Sequence, residues 1–256
     1  MTLRNNTFMI TCSSRTGITF LVHLLRSHSE IMCYGEIYSI PKPNGLAGRY
    51  ADLIRDNPAY LDYIRDYRDG DLTRFLYKIA FDSQDRRISG FKYKYGQLET
   101  PALETATTQI IQDTDIKIIH LVRRNLLARY LSQYISNKVT GFTMRLQNDE
   151  MPDIPPVMLD PKACEKDFDK AMNHQAKYRN IFSAHPIFSI FYEDLLEEPS
   201  KSKVTRELLS FLEVSDSPLS SPTQKIIQKP MSEAISNYTQ LCDYFSFGPY
   251  AHLFQN

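Results

Sequence analysis

The chain has 256 residues, 42% of them hydrophobic and 23% charged, with 9 glycines and 14 prolines. That is ordinary globular composition and excludes a low-complexity or collagen-like chain. Its 30 basic residues balance its 30 acidic ones, so no global field exists to hold nucleic acid or an anionic membrane.

The four cysteines, Cys12, Cys33, Cys164 and Cys242, form no CxxC pair and no zinc-ligand spacing, which points to a reducing compartment and to no metal centre. The densest apolar run, residues 18–25, already contains Thr19 and His23 and falls short of the roughly 20 residues that span a bilayer. Near the start, polar residues 11–16 interrupt the apolar stretch that a secretion signal needs. A soluble, cytoplasmic protein without a membrane span is expected.

Residues 7–12 are β-prone and lead through Ser13-Ser14-Arg15-Thr16-Gly17 into an apolar helix over 18–25. A short strand at 31–33 ends at Tyr34-Gly35-Glu36, and residues 41–70 read as a loop followed by surface helices. Leu72, Phe75, Leu76, Ile79 and Ala80 recur at helical spacing. Residues 88–93 read as a strand, Pro101 opens a helix, and 116–122 is the most continuous buried strand. A helix over 124–136 carries the stripe Leu127, Tyr130, Leu131, Tyr134 and Ile135. Residues 141–161 are polar and proline-bearing, as in a lid. A long amphipathic helix, a strand at 187–192 and a helix at 204–212 complete the pattern. No repeat is visible. Strands alternating with helices predict an α/β fold, a central parallel sheet flanked by helices.

The loop Ser14-Arg15-Thr16-Gly17-Ile18-Thr19 leaves the end of a strand and enters a helix, where an open α/β sheet places its anion site. Backbone N–H groups, three hydroxyls and the Arg15 charge would converge there, and Gly17 permits close approach. The same Ser and Thr residues would also serve as plain helix caps. The loop lacks the G-x-x-x-x-G-K-[ST] of a Walker A motif. The strand at 116–122 runs into Arg123-Arg124, not into an acidic magnesium ligand.

These residues resemble the sulfotransferases that use 3′-phosphoadenosine-5′-phosphosulfate (PAPS). Residues 14–19 are similar to the family's 5′-phosphosulfate loop, and His120-Leu121-Val122-Arg123-Arg124-Asn125 with Ser132 is similar to its 3′-phosphate motif. Tyr192-Glu193-Asp194-Leu195-Leu196 with Pro199 resembles a further family segment. Tyr34-Gly35-Glu36 and Ser236-Asn237-Tyr238 resemble the bacterial trehalose and lipopolysaccharide branch, which uses a glutamate base. The likeness runs from residue 8 to about 240. Two departures stand out. Ile18 replaces a usual hydroxyl residue, and Lys94 in Phe91-Lys92-Tyr93-Lys94 stands where cytosolic members carry a histidine base.

The resemblance implies a P-loop-like single domain over 1–256, with 37–80 and 141–161 as acceptor-side insertions. It implies a PAPS-dependent O-sulfotransferase acting on a hydroxyl of a small molecule: a saccharide, a glycolipid or a secondary metabolite such as a bacterial toxin. Ser14, Arg15, Thr16, Gly17, Ile18, Thr19, Arg124 and Ser132 would hold the donor, with Arg123 replacing Arg124 if the register slips by one. Arg15 and Lys92 would stabilise the transfer, and Glu36 would be the general base, its pKa raised by a cleft formed with Tyr34 and Tyr38. A salt bridge from Glu36 to Arg49, and a strand-end role for Lys92, are the structural alternatives. His23 and His120 read as core histidines. Asp149, Glu150 and Asp153 read as a solvated cluster, and the tyrosines of 34–95 suit either an acceptor or helix packing. A P-loop-like nucleotide-binding protein or a small-molecule kinase is the functional alternative.

Overall fold

The computed structural model describes residues 6–141, 146, 149–150, 153–223 and 229–254. Five strands, β1 (Thr7–Thr11), β2 (Ile31–Tyr34), β3 (Ile88–Lys92), β4 (Lys117–Val122) and β5 (Ile187–Phe191), form one sheet in the order β2-β3-β1-β4-β5. Every pairing is parallel, so each connection must return across the sheet, and helices make those crossings.

α1 (Ile18–Arg26) joins β1 to β2. Between β2 and β3 lie α2 (Arg49–Asp56), α3 (Tyr60–Gly70) and α4 (Leu72–Phe75), the last running into a π turn at Leu76–Ala80. α5 (Tyr95–Leu98) and α6 (Glu104–Gln112) lead from β3 to β4. α7 (Leu126–Ile135) and the long α8 (Pro161–Ile181) lead from β4 to β5, and α9 (Ser200–Phe211), α10 (Met231–Ala234) and α11 (Tyr238–Tyr244) follow. Among the described residues no helix is long and apolar enough to cross a membrane.

The alternation of side chains along each strand divides the core into two layers. Met9, Met32, Tyr34, Phe91 and Ile118 face one layer, packed against Phe75, Ala106, Ile110 and Tyr178. Phe8, Ile10, Ile31, Cys33, Ile119 and Leu121 face the other, packed against Leu21, Leu24 and Leu25 of α1 and Leu208 and Leu209 of α9. A sheet buried on both faces needs continuous apolar strands, which is what residues 7–12 and 116–122 supply. A third cluster joins Leu127 and Leu131 of α7, Phe168 of α8 and Leu241 of α11.

The parallel α/β architecture agrees with the sequence; the differences lie at element ends and in the short helices α5, α10 and α11, which no sequence pattern announced. The helix expected from 124 starts at Leu126, where Asn125 accepts a hydrogen bond from the Ala128 N–H. The asparagine cap, rather than the apolar period, sets that boundary. The chain leaves β1 toward one edge of the sheet and leaves β4 toward the other. The crevice between their carboxyl ends is therefore the topological switch point, where open α/β sheets bind ligands.

Candidate active site

Residues 12–17 connect β1 to α1 across that crevice. Gly17 has φ 83° and precedes a helix that no side chain caps, so the first N–H groups of α1 are left for a ligand. Arg15 also lies in the left-handed region, at φ 65°, a conformation retained in a non-glycine residue at a cost that functional loops bear. A Cβ on Gly17 would stand 2.1 Å from Cδ2 of Tyr192. Gly17→Ala should therefore destabilise the fold by about 2–4 kcal/mol, combining left-handed strain with overpacking. Thermal unfolding should show a Tm lowered by roughly 4–16 °C for a chain of this size. An unchanged Tm would mean that the Tyr192 ring yields freely.

The crevice opens as a cavity of about 670 Å³. At one pole, Arg15 donates from Nε and Nη2 to Ser132 Oγ of α7 at 3.0 and 2.9 Å. Arg123, just past β4, donates from Nη1 to the Arg15 carbonyl at 3.0 Å. Its guanidinium lies 5.0 Å from the Tyr192 ring centroid, while its Nε is buried with no hydrogen-bond partner. Burial, and then the nearby Arg123, lower the Arg15 pKa, and burial does the same to Arg123. Two desolvated arginines and an unspent donor on Arg123 make this pole a fit for an anion.

At the other pole stands Glu36. The parallel register pairs Tyr34 with Phe91, so the residues that follow β2 meet those that end β3. Glu36 Oε1 lies 2.8 Å from Lys92 Nζ, and Oε2 lies 2.7 Å from Lys94 Nζ. Lys92 also donates to Thr19 Oγ1 at 3.3 Å. Ser39 Oγ donates to Glu36 Oε2 at 3.3 Å. Burial pushes the Glu36 carboxyl up, but Lys92 and Lys94 outweigh it and leave its pKa below the usual value. The sequence predicts the opposite, because it places Tyr34 and Tyr38 around the carboxylate. Both rings are instead fully buried in the core, and Arg49 pairs with Asp82 rather than with Glu36. Tyr50, Tyr93 and Tyr95 are core residues as well, so packing accounts for most of the tyrosine-rich region.

Ser14, Arg15, Gly17, Ile18, Thr19, Glu36, Lys92 and Ser132 all reach the cavity. Thr16 is buried beneath the loop and donates to the Ser13 carbonyl at 2.7 Å. Of the two arginines after β4, Arg123 lines the cavity. Arg124 is not brought there. It precedes α7, so the i, i+4, i+8 face that would align it with Ser132 does not extend to it. Its backbone N–H donates to Glu193, as does that of Asn125, each at 3.1 Å. Its guanidinium forks onto both Asp194 oxygens at 2.6 and 2.9 Å and stacks 3.8 Å from the Phe191 centroid. It borders a second pocket of about 490 Å³.

The Tyr192-Glu193-Asp194 segment thus braces the site: Tyr192 fills the space left by Gly17, Glu193 caps the entry to α7, and Asp194 fixes Arg124. Asn237 both donates to and accepts from the backbone of Leu159, tying the C-terminal region to the end of the expected lid. That lid, residues 141–161, lies partly outside the described residues; Asp153 is solvated, with Lys229 Nζ 3.8 Å away. His120 is a core histidine as expected, bonded to the Tyr95 hydroxyl, and burial lowers its pKa to about 4. His23 differs, since it is half-buried in the cavity wall one turn below Thr19. Among the described residues no group of three His, Cys, Asp or Glu side chains is placed to hold a metal ion.

A family model described as a sulfotransferase domain matches residues 6–244. Nodulation protein H of Rhizobium meliloti is 25% identical over 256 residues, covering 99% of this chain and 97% of its own length. Nodulation protein H of Rhizobium tropici is 24% identical over 250 residues, covering 97% and 92%. Among solved structures, the sulfotransferase domain from the curacin biosynthetic pathway superposes with a TM-score of 0.51 at 17% identity, covering 91% of this chain and 85% of its own. That last likeness speaks for the fold. The family match spans both poles of the cavity and nearly the whole chain, and the protein belongs to the sulfotransferase family, as an enzyme of that class.

Proposed function

We propose that the protein is a cytoplasmic, PAPS-dependent O-sulfotransferase with one domain, acting on a hydroxyl of a small molecule such as a saccharide, a glycolipid or a secondary metabolite. The observation that carries this reading is the polarity of a single cavity. Desolvated arginines and an uncapped helix N-terminus stand at one end, and a carboxylate clamped by two lysines stands at the other. Among the described residues that line it, Glu36 is the one acidic side chain.

The donor's phosphates suit the first pole. The loop residues Ser14 to Thr19 supply backbone and hydroxyl donors, with Thr16 acting from below. Arg15 runs from the loop to Ser132 and meets charge that builds on the leaving phosphate. Arg123, with Ser132, takes the 3′-phosphate place that the sequence pattern assigns to Arg124. Lys92 belongs with the sulfuryl oxygens, between Thr19 and Glu36. Glu36 accepts the acceptor's proton as the acceptor oxygen forms its bond to sulfur and the bond from sulfur to the phosphate oxygen breaks. The remaining wall offers neutral polar groups, among them Asn44, Asn137 and Thr223, which suit a hydroxyl-rich acceptor. The segments 37–80 and 141–161 would shape the acceptor side. Family membership weighs against the kinase alternative.

The test is thermal stability with 3′-phosphoadenosine-5′-phosphate, with ATP and magnesium as the comparison. At 100 times Kd a ligand adds about 2.7 kcal/mol, so Tm should rise by roughly 5–10 °C. A rise with ATP and magnesium alone would overturn the donor assignment.

A further inference from the structure

Arg129 is a charged residue in the interior of α7, its side chain 4% exposed. It forms a close ion pair with Asp167 of α8. From Nη1 it also donates to the Ser14 carbonyl at 3.4 Å and to Gln133 Oε1 at 3.2 Å. Burial, and then the neighbouring Arg123, pull its pKa down to about 10. A buried cation beside another cation is expensive, and an apolar side chain would serve packing better. The charge therefore needs an explanation, and the anion loop offers one.

The Ser14 carbonyl is the middle one of three consecutive loop carbonyls, each met by a side-chain donor. Thr16 Oγ1 donates to the Ser13 carbonyl at 2.7 Å, Arg129 to that of Ser14, and Arg123 to that of Arg15 at 3.0 Å. In a planar trans peptide the N–H points away from the C=O. Fixing these three carbonyls therefore fixes the N–H groups of Ser14, Arg15 and Thr16 on the opposite side of their peptides. Successive backbone N–H groups held in this way make an anion-binding concavity.

We propose that Arg129, oriented by Asp167, is a positioning residue that holds the loop's backbone donors in their anion-binding arrangement and so links donor affinity to α8. The inference rests on the reading of this pole as the PAPS site. It adds two residues that no sequence motif contains, since Asp167 is 38 positions from Arg129 and on another helix.

The test is calorimetric titration with 3′-phosphoadenosine-5′-phosphate and, separately, with pyrophosphate, alongside Tm. Replacing the whole pair, Arg129→Met with Asp167→Leu, exchanges a buried ion pair for apolar groups of similar size, a change that folds commonly tolerate. The expected result is a Tm within about 5 °C of wild type with at least a tenfold weaker Kd, whereas Asp167→Glu, which keeps the pair, stays within about threefold. A folded double variant that binds within threefold of wild type overturns the positioning role and leaves the donor reading intact. Should the double variant fail to fold, Arg129→Lys decides: it keeps the charge but loses the fork that joins Asp167 to Ser14. Weakened binding at near-wild-type Tm supports the proposal, and unchanged binding overturns it. Wild-type protein that binds neither ligand overturns the donor reading, and this inference with it.

Discussion

Replacing Arg123 with alanine should weaken binding of 3′-phosphoadenosine-5′-phosphate by about 30- to 700-fold, whereas Arg124→Ala should change it by less than about threefold. The asymmetry follows from surroundings, not from charge. Arg123 is desolvated, lines the cavity and keeps a buried Nε with no partner. Truncating such a group removes about 2–4 kcal/mol of a buried charge-assisted contact. Arg124 is half exposed and its guanidinium is already committed to Asp194, and an exposed pair contributes about 0–1 kcal/mol. Removing it should also leave Tm nearly unchanged. The comparison ligand is adenosine 5′-phosphate, which lacks the 3′-phosphate. If Arg123→Ala weakens both nucleotides equally, its loss acts through the Arg15 carbonyl and not through the 3′-phosphate. If Arg124→Ala is the damaging change, Arg123 does not hold the 3′-phosphate.

The two adjacent arginines also show how far the sequence could be read. Strands buried on both faces announce themselves as continuous apolar runs, and the loop after β1 stands where topology requires an anion site. Fold and loop were legible for that reason. Which of Arg123 and Arg124 lines the cavity was not, because it depends on where α7 begins. That boundary is set by Asn125 capping Ala128 and by Glu193 binding two backbone N–H groups from 68 and 69 residues away. The pKa of Glu36 was unreadable for a similar cause. The aromatic neighbours in sequence, Tyr34 and Tyr38, point into the core, and the groups that govern the carboxylate come from β3 and the residues just after it. Lys94 was visible only as the absence of a histidine. His23 read as a core histidine because it sits within the apolar run of α1, and Arg129 was concealed within the apolar run of α7. A polar residue interrupting such a run at cleft-facing spacing is the one signal that could have found them.

Glu36→Gln should lower kcat by about 10²- to 10⁴-fold, the range for losing a general base, while leaving affinity for 3′-phosphoadenosine-5′-phosphate within about threefold of wild type. The amide keeps the shape and one acceptor oxygen, so one of Lys92 and Lys94 retains its partner while the carboxylate is gone. The pH dependence follows from the lowered pKa, which burial resists and the two lysines impose. The carboxylate is ionised at neutral pH, and wild-type kcat/KM should lose activity only below the ordinary carboxylate range near pH 4.5. A pKa depressed in the folded state stabilises the fold above the unfolded value, and that contribution is lost as pH falls through the folded value. Wild type should therefore exceed Glu36→Gln in Tm at pH 7, with the gap closing below about pH 4.5. A clamped carboxylate is a weak base, and Lys92 resolves the difficulty because it is shared. It bonds Thr19 as well as Glu36, so an anionic sulfuryl group at Thr19 would draw the ammonium away from Oε1. On the proposed reading that oxygen would become more basic once a donor is in place, which would make proton removal conditional on a loaded site. Full kcat in the glutamine variant would remove Glu36 from the reaction. A lost kcat accompanied by an equal loss of donor affinity would recast Glu36 as the residue that holds Lys92 and Lys94 in position.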